Sequence, residues 1–497
     1  MSARLSLRAS ELERIARTAV DGTAVDTPRY TRQMQKRICH LGVGGFHRAH
    51  QALVLHRLLQ QGLADGWGLC GIGLRAADRP MHQALQAQDG LYSLWELEGD
   101  QRRVTVVGSI MDHLDASDDS RAAVALLADA DTLIVSLTVT EAGYCLDATG
   151  ALDTLHPDIV HDLAHPARPR SAPGLLVAAL AARRAAGIGG FTAMSCDNLV
   201  GNGHRLRAAV LGLATHLDPS LVPWIQAQAS FPCSMVDRIT PAADPARSAR
   251  LCADWGVDDR IPVVCEPWLQ WVMEDRFVAG RPPFEQAGVV FSDEVERYED
   301  MKVGLLNGGH SAISHLGLLL GYTRVHEALA DPLVRDWHLG YMQEVAATLQ
   351  PLNRVDYHDY QASLARRFAN AAIEDRLLRL AMDSSTKFPQ VLLPPTIRRL
   401  QAGQTLDHLA TAIALWIVYL AGLAQDPAQR REYVDHDSDG LIALAVAATA
   451  SRQADAFLAS KLSLPPALAT PFADAVTRQL RSLLQRTPRD HIRSLAQ

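Results

Sequence analysis

The sequence has little excess positive charge and no long apolar run, and these two absences exclude whole classes of protein. Its 48 Lys and Arg face 55 Asp and Glu, which gives a formal net charge of -7 over 497 residues. A nucleic-acid binder concentrates basic residues on one face or arm, and no such run is present. The longest apolar stretch, residues 409–424, is shorter than the ~20 residues that cross a bilayer. We therefore expect no nucleic-acid partner and no membrane span, and we interpret residues 409–424 as a buried core helix.

Cysteine is also scarce. Seven cysteines are present, an odd number, and no two of them form a Cys-x-x-Cys pair. Several lie inside apolar runs, such as residues 38–41, where a thiol behaves as a small apolar group. We therefore expect buried free thiols, a reducing environment and a cytoplasmic protein.

From residue 37 onward, short apolar runs alternate with helical stretches. Strands are predicted at residues 38–44, 68–74, 104–107, 132–139, 191–195 and 263–265. Such alternation predicts a parallel, doubly wound sheet. Beyond residue 293 only helices are predicted, at residues 303–320, 332–349, 360–382, 406–424, 441–461 and 467–484. We therefore predict an α/β protein, with a Rossmann-like domain over residues 1–290 and a mostly helical substrate and catalytic domain over residues 291–497.

A glycine-rich turn follows the first predicted strand. Residues 42–47 read Gly-Val-Gly-Gly-Phe-His, between that strand and a helix. Glycines at this place let a backbone approach a pyrophosphate, and the helix N-terminus offers free N–H donors. The match to G-x-G-x-x-G is partial, since His47 replaces the third glycine, and a plain structural turn is the alternative. The residues predicted to bind the cofactor are Gly42, Gly44, Gly45, Phe46, Arg48, Asp78 and Thr140.

Asp78 ends the second predicted strand, at the place where an acidic residue binds the ribose hydroxyls of NAD and repels a 2′-phosphate. Its distance from Gly42 is longer than the ~20 residues usual in the fingerprint. A helix cap before Pro80 is the alternative role for this carboxylate. Arg75 and Arg79 lie beside it and keep NADP open, although NAD is favoured.

Residues 302–310 place a lysine, an asparagine and a histidine on an otherwise apolar or glycine-containing stretch. At 100° per residue, His310 lies about 80° and Asn307 about 140° around a helix from Lys302. Oxidation of an alcohol needs a base and donors for the developing alkoxide. Desolvation on this stretch would lower the lysine pKa towards neutrality. The alternative is a snorkelling lysine, a helix-interrupting Asn-Gly-Gly and a core histidine.

Two other dehydrogenase patterns are weighed against this cluster. Tyr298 and Lys302 fit the Tyr-x-x-x-Lys pair of short-chain dehydrogenases, but they lie far beyond that family's spacing from Gly42, in a chain roughly twice as long. Zinc sites need closely placed Cys and His ligands, and His47 and His50 have no Cys or carboxylate cluster beside them. We therefore interpret the Tyr-x-x-x-Lys match as chance and expect no metal.

Four ordered motifs resemble the polyol-specific long-chain dehydrogenase/reductases. They are residues 42–50 (GVGGFHRAH), 194–198 (MSCDN), 235–241 (MVDRITP) and 302–310 (KVGLLNGGH). The resemblance extends from about residue 35 to at least Pro395. In that family the histidine at the third glycine position is normal, and an acidic residue matching Asp78 favours NAD.

The resemblance implies roles for the catalytic residues. Lys302 would be the general acid/base of a reaction without metal. Asn198 and Asn307 would form an oxyanion hole, and His310 would orient the substrate and support Lys302. Glu299 matches a carboxylate thought to gate a proton or water path.

The resemblance also implies a substrate pocket, lined by Asp237, Arg379 and Lys387. Arg379 and Lys387 would lie on one carboxy-terminal helix and close the pocket over the nicotinamide, in a cleft between the domains. Asp383-Ser384 departs from the Asp-Gly of many relatives, which bears on substrate choice.

The nearest members of the family oxidise mannitol at carbon 2, so the expected reaction is D-mannitol plus NAD to D-fructose plus NADH. D-arabinitol 4-dehydrogenase and fructuronate reductase remain alternatives, the latter because Arg379 and Lys387 would suit a carboxylate. A non-catalytic NAD-binding sensor is an alternative of another class. The family includes monomers, and a monomer is slightly favoured.

Overall fold

The computed structural model describes residues 4–353 and 355–495. The chain divides into two compact units, Met1–Glu296 and Arg297–Gln497. The predicted boundary lay at residue 290. We refer to the two parts as the first and the second unit.

The first unit contains short and long strands interleaved with helices. Its strands are β1 Leu5–Ser6, β2 Ala19–Val20, β3 Thr23–Ala24, β4 Lys36–Leu41, β5 Trp67–Gly73, β6 Tyr92–Glu98, β7 Gln101–Val107, β8 Ile110–Asp115, β9 Thr132–Leu137, β10 Thr192–Ser195, β11 Ser234–Asp237, β12 Val257–Asp258, β13 Val263–Cys265, β14 Gln270–Met273 and β15 Val290–Phe291. Its helices are α1 Leu12–Ile15, α2 Gly45–Ala49, α3 Gln51–Gln60, α4 Arg79–Ala87, α5 Arg121–Ala128, α6 Pro157–Ala164, α7 Ala172–Ala185, α8 Asn202–Leu217, α9 Leu221–Gln228 and α10 Pro245–Trp255.

The main sheet of the first unit has five parallel strands in the order β10-β9-β4-β5-β8. Most residues of its central strands β9, β4 and β5 are buried, as expected for strands covered on both faces. Along β4, Ile38 packs into one hydrophobic core while Cys39 and Leu41 pack into another, because successive side chains point to opposite faces. This confirms the predicted doubly wound sheet, and it places the loop after β4 at the carboxyl edge where such sheets bind ligands.

The first unit also contains strands that the alternation pattern did not predict. β6 and β7 form an antiparallel hairpin, of which only residues 104–107 were expected, and β11 pairs antiparallel with β14. A short strand of alternating or mixed polarity lacks the continuous apolar run by which a central parallel strand is recognised. Four strands of the main sheet were therefore predicted from the sequence, whereas its edge strand β8 and most of these smaller sheets were not.

The second unit is mostly helical, which confirms the predicted fold class. Its helices, beginning with one that spans the point of division, are α11 Val295–Met301, α12 Gly308–Leu319, α13 Val325–Ala330, α14 Pro332–Ala346, α15 Tyr357–Phe368, α16 Leu377–Ala381, α17 Ser384–Val391, α18 Leu393–Gln401, α19 Asp407–Leu423, α20 Pro427–Glu432, α21 Ser438–Ser451, α22 Asp455–Lys461, α23 Pro466–Leu483 and α24 Pro488–Leu495.

Two of the predicted long helices are wrong. Residues 360–382 contain α15, a 3-10 turn and α16, and residues 441–461 contain α21 and α22. Glu374 and Arg452 adopt left-handed backbone conformations, with φ of 56° and 57°, which end a helix. Apolar periodicity continues across both breaks, so it did not reveal them.

Helix α19 is the core of the second unit. It is buried along nearly its whole length and packs against α12, α21 and α23. The prediction of a buried helix at residues 409–424 is confirmed. Among the described residues, no helix combines the length and apolar character that crossing a bilayer requires.

Candidate active site

The glycine-rich turn after β4 depends on Gly42. Its φ is 87°, and a Cβ there would collide with the carbonyl oxygen of Thr138. A Cβ on Gly44 would meet no atom of the described chain within 4 Å, and one on Gly45 would meet only the Thr240 methyl, at 3.8 Å. The fold itself therefore requires Gly42, whereas the bare backbone at Gly44 and Gly45 fits the close approach of a dinucleotide phosphate.

His47, at the third glycine position, stacks on His40 of β4 with ring centroids 3.5 Å apart. His40 shares hydrogen bonds with Ser136 Oγ at 2.8 Å and Thr138 Oγ1 at 2.9 Å. Burial lowers the pKa of His40 to about 3 and that of His47 well below its usual value. Two neutral, stacked rings thus hold helix α2 against β4, where a glycine would have allowed direct contact.

Arg48 and Phe46 flank this stack. The guanidinium of Arg48 is buried, donates to the Ile261 carbonyl, and lies 5.3 Å from the centre of the Tyr92 ring. Its Nε donates to the carbonyl of Gly44 at 3.3 Å. Arg48 therefore braces the loop from within the protein, while the half-buried Phe46 stacks on a neighbouring histidine.

Asp78 caps the turn that follows β5. Its Oδ2 accepts hydrogen bonds from the backbone N–H groups of Leu74 and Arg75, at 2.9 and 3.0 Å. The side chain of Asp78 makes no capping hydrogen bond to the helix that contains Pro80, so the capping role considered for it is wrong in that form. Because the second carboxylate oxygen takes no part in these bonds, capping and binding a ribose hydroxyl are compatible.

The arginines beside Asp78 are both paired with carboxylates. Arg75 donates to Asp158 at 2.9 Å, and Arg79 donates to Asp115 and Asp118 at 2.9 and 2.8 Å. A guanidinium already paired in this way attracts a 2′-phosphate less than a free one would. The surroundings of Asp78 therefore favour a dinucleotide without that phosphate.

Asp197 ties together the loops after β9 and β10. Its carboxylate accepts from the N–H of Thr140 at 2.9 Å and of Val139 at 3.2 Å, and from the Tyr144 hydroxyl at 2.9 Å. Burial raises the pKa of this carboxyl. Thr140 has a φ of 63°, and Asp197 holds it there. The exposed Asn198 follows directly after this carboxylate.

Asp237 ends strand β11 and is buried. The indole Nε1 of Trp268 donates to its Oδ2 at 3.1 Å. The neighbouring Arg238 is fully buried and pairs with Glu96. Asp237 is therefore held at the carboxyl end of its strand by side chains that fix its orientation.

In the second unit, Lys302 begins a π-helical turn, Lys302–Asn307, between α11 and α12. Such turns are rare and recur at functional sites. Lys302 is 5% exposed, Asn307 is half-buried and His310 is buried in the first turns of α12. The stretch is helical as predicted, but its wider turn changes the angles expected for a regular α-helix.

His310 is held neutral. Its pKa lies well below the usual value, first because the ring is buried and then because of the electrostatic influence of Arg379, Arg367, His338 and Lys302. The structure thus brings Lys302 and His310 into electrostatic contact. A neutral imidazole can both donate and accept a hydrogen bond.

Two glycines let α14 approach this turn closely. A Cβ on Gly308 would collide with the Tyr341 hydroxyl, and one on Gly309 would lie 2.9 Å from His338 Nε2. The Asn-Gly-Gly sequence therefore does not interrupt the helix, as the alternative interpretation supposed. It provides the packing surface behind His310.

Phe368 stacks on His310 with ring centroids 4.0 Å apart and an interplanar angle of 22°. On its other side it contacts His338, at 5.5 Å between ring centroids. Neither Phe368 nor His338 was predicted as a site residue. Both lie on helices distant in sequence from residue 310, and no motif marks them.

Arg379 and Lys387 lie on two short helices, α16 and α17, so their predicted placement on one helix is wrong. Arg379 donates three hydrogen bonds to the carboxylate of Asp375, at 2.7 to 2.9 Å. The Lys387 ammonium donates to the Met382 carbonyl at 2.6 Å. Burial lowers the pKa of Lys387. Asp383, in the departure from the Asp-Gly pattern, has a φ of 53°.

Two models of one protein family match most of the chain. The family model for the mannitol dehydrogenase Rossmann domain matches residues 36–286, and that for the mannitol dehydrogenase C-terminal domain matches residues 294–476. The chain belongs to the mannitol dehydrogenase family. This family is one of oxidoreductases that act on CH–OH donors, and the resemblance seen in the sequence motifs is confirmed.

Three relatives show how close the similarity is. Mannitol 2-dehydrogenase of Cereibacter sphaeroides is 44% identical over 401 residues, covering 80% of this chain and 84% of its own. D-mannonate oxidoreductase of Escherichia coli is 42% identical over 395 residues, covering 79% and 81%. The structure of Pseudomonas fluorescens mannitol 2-dehydrogenase, a ternary complex with NAD and D-mannitol, has a TM-score of 0.86 at 39% identity and covers 99% of both chains.

One group of potential metal ligands is found among the described residues of this family member. Atoms of Cys145, His156 and Asp158 lie within 4.8 Å of one another, in the first unit. Asp158 pairs with Arg75, and His156 Nδ1 accepts from the Asp158 N–H at 3.2 Å. These contacts give the group a local structural role, and it includes none of the predicted site residues. All seven cysteines are buried and free, as predicted.

Proposed function

We propose that this protein catalyses the reversible, NAD-dependent oxidation of D-mannitol to D-fructose, with Lys302 as general acid/base and without a metal. The observation that carries the proposal is the π-helical turn, which holds Lys302 and a neutral His310 together in a buried setting. The relatives named mannitol 2-dehydrogenase, and the related enzyme solved with NAD and D-mannitol, support the choice of substrate.

Oxidation of a secondary alcohol removes a hydroxyl proton and a hydride from the same carbinol centre. Bound NAD supplies the hydride acceptor. In its uncharged form, the amine of Lys302 takes the hydroxyl proton. The burial of this side chain favours that form, because desolvation penalises a charged amine.

The remaining groups hold the substrate oxygen and its neighbours. We assign to the amides of Asn307 and Asn198 the donation of hydrogen bonds to the developing alkoxide, an effect worth about 3 kcal/mol for one such donor in other enzymes. His310, neutral and fixed by its stack on Phe368, would hydrogen-bond a substrate hydroxyl. Glu299, buried on α11, would connect Lys302 to solvent for proton exchange.

The first unit would bind the dinucleotide. The bare backbone of Gly44 and Gly45 would receive the pyrophosphate, and Asp78 would accept a hydrogen bond from the adenosine ribose. Pairing of the adjacent arginines with carboxylates supports NAD over NADP. The shape of this site would depend on Phe46, Arg48 and Thr140. Of these, Arg48 would act by supporting the loop from inside the protein.

The substrate would be bound by Asp237, Arg379 and Lys387. A polyol offers only hydroxyl groups, and each hydroxyl can donate to a carboxylate or accept from a cation. D-arabinitol remains the alternative substrate within the same chemistry. The protein is proposed to act as a monomer, which light scattering on the purified chain would test.

Initial rates would test the proposal. Oxidation of D-mannitol, D-arabinitol, D-sorbitol and D-mannonate is measured with NAD and again with NADP, at equal concentrations. We expect D-mannitol with NAD to give the highest kcat/KM. Faster turnover of D-mannonate than of D-mannitol would overturn the assigned substrate. Binding of NAD without turnover of any of the four would instead indicate a sensor.

A further inference from the structure

The second unit contains an ion pair that bears on which substrates the protein accepts. Arg379 donates from Nε and Nη2 to the carboxylate of Asp375, with three contacts of 2.7 to 2.9 Å. Asp375 is 8% exposed, whereas the Arg379 side chain is 50% exposed. The planar fork of the guanidinium is therefore already engaged by a carboxylate, although its outer part remains accessible.

The carboxylate of Asp375 is held rigidly. The backbone carbonyl of Asp375 accepts a hydrogen bond from the N–H of Val325, at 3.0 Å. The next residue, Arg376, forms an isolated bridge with Arg324, and Leu377 donates to the Thr323 carbonyl at 3.0 Å. Backbone contacts on both sides thus fix the position from which Asp375 reaches Arg379. An incoming anion would have to displace a preorganised partner.

Lys387 does not provide a free cation in place of Arg379. Its ammonium is bound to the Met382 carbonyl at 2.6 Å. Asp383, Asp435 and Asp375 all act on it electrostatically, alongside the single arginine Arg379. Three carboxylates and one guanidinium therefore act on the Lys387 ammonium.

We propose that Asp375 is a specificity-determining residue that excludes sugar acids from the site by occupying and neutralising Arg379. The inference rests on the proposed function, in which Arg379 and Lys387 face the substrate. A sugar carboxylate would meet a guanidinium that is already paired, and it would lie beside the like charge of Asp375, which disfavours its binding. A polyol hydroxyl can donate to Asp375 and accept from Arg379, so it loses nothing in the same place.

The test is the Asp375→Asn variant, which keeps the size of the side chain and removes its charge. The kcat/KM for D-mannonate and for D-mannitol is measured with NAD, and their ratio is compared with that of the unchanged protein. We expect the mannonate-to-mannitol ratio to rise by at least ~10-fold, since a tenfold change corresponds to about 1.4 kcal/mol. An unchanged ratio in a folded variant overturns the proposal.

Two further variants keep the test decisive. Glu374→Gln removes the same charge from the adjacent exposed residue, and the ratio should stay as in the unchanged protein. Arg379→Gln should shift the ratio in the opposite direction, towards D-mannitol, because it leaves the Asp375 charge uncompensated. If Asp375→Asn does not fold, the sign of this second shift decides the proposal. A rise of the ratio in Arg379→Gln contradicts it.

The two proposals can fail separately. If the unchanged protein prefers D-mannonate to D-mannitol, the proposed function has failed. If it prefers D-mannitol and the ratio does not respond to Asp375→Asn, only the role of Asp375 has failed. Inhibition of D-mannitol oxidation by D-mannonate gives a second readout, and its Ki should fall in Asp375→Asn.

Discussion

The glycine loop of the first unit and the Lys302 turn of the second use similar residues in opposite ways. Both contain glycines, a histidine and a long basic side chain close together in sequence. In the loop, Arg48 and the His40–His47 stack are buried scaffolding, and the bare backbone faces the proposed cofactor. In the turn, the glycines face helix α14, and the side chains are those proposed to perform the chemistry. In the proposed function, the same residue types thus support backbone recognition in one place and proton transfer in the other.

The largest expected effect separates these two uses. Lys302→Ala removes the proposed base and should lower kcat by at least ~10²-fold at neutral pH, within the range for a lost acid–base group. NAD affinity, measured by fluorescence titration, should stay within about twofold, because the loop is unchanged. Near-normal turnover would show that Lys302 has a structural role, like that of Arg48 in the loop.

Replacement of the loop glycines should separate fold from recognition. Gly42→Ala forces a Cβ against the Thr138 carbonyl at a φ of 87°, so the melting temperature should fall, with strain of about 1–3 kcal/mol. Gly44→Ala meets no such obstacle and should retain its melting temperature while binding NAD more weakly. Calorimetry and NAD titration of both variants check this. Equal losses of stability would contradict the distinction.

A smaller effect is expected from the ring that supports His310. Phe368→Leu removes a stack worth about 0.5–1.5 kcal/mol, so kcat/KM for the polyol should fall by about 2- to 10-fold while NAD affinity is retained. Phe457→Leu serves as the control, since Phe457 packs edge-to-face against Trp416 instead. That variant should lose stability without a specific loss of turnover. If the two variants lose the same amount of turnover for the same loss of stability, Phe368 contributes only to packing.

The smallest effect concerns the histidines beneath the loop. The pKa of His40 is lowered from 6.5 to about 3 by burial, so the unfolded chain binds its proton more readily than the folded one. Its stabilising contribution is therefore present above pH 6.5 and is lost as the pH falls from 6.5 towards 3. The urea midpoint should drop between pH 7 and pH 5, and less steeply in His40→Gln. An identical slope in the variant would contradict this assignment.

Parts of the site could be predicted because local backbone demands appear as residue types. Gly42 is recognisable since a turn directly after a buried strand needs a positive φ. Asp375 was missed, although it lies four residues before Arg379, the spacing at which oppositely charged side chains pair on a helix. A search of the sequence for such ion pairs would have found it. Phe368 offered no comparable pattern, because its contact with His310 joins helices that lie far apart in the chain.

The sequence by itself determined four of the five strands of the main sheet, the position of the glycine loop and the grouping of Lys302, Asn307 and His310. Each of these depends on apolar periodicity or on neighbours within a few residues. Only the tertiary structure decided the charge state of His310 and the engagement of Arg379 by Asp375. Burial and ion pairing depend on which distant elements pack around a group, and those elements lower the pKa of His310 and neutralise Arg379.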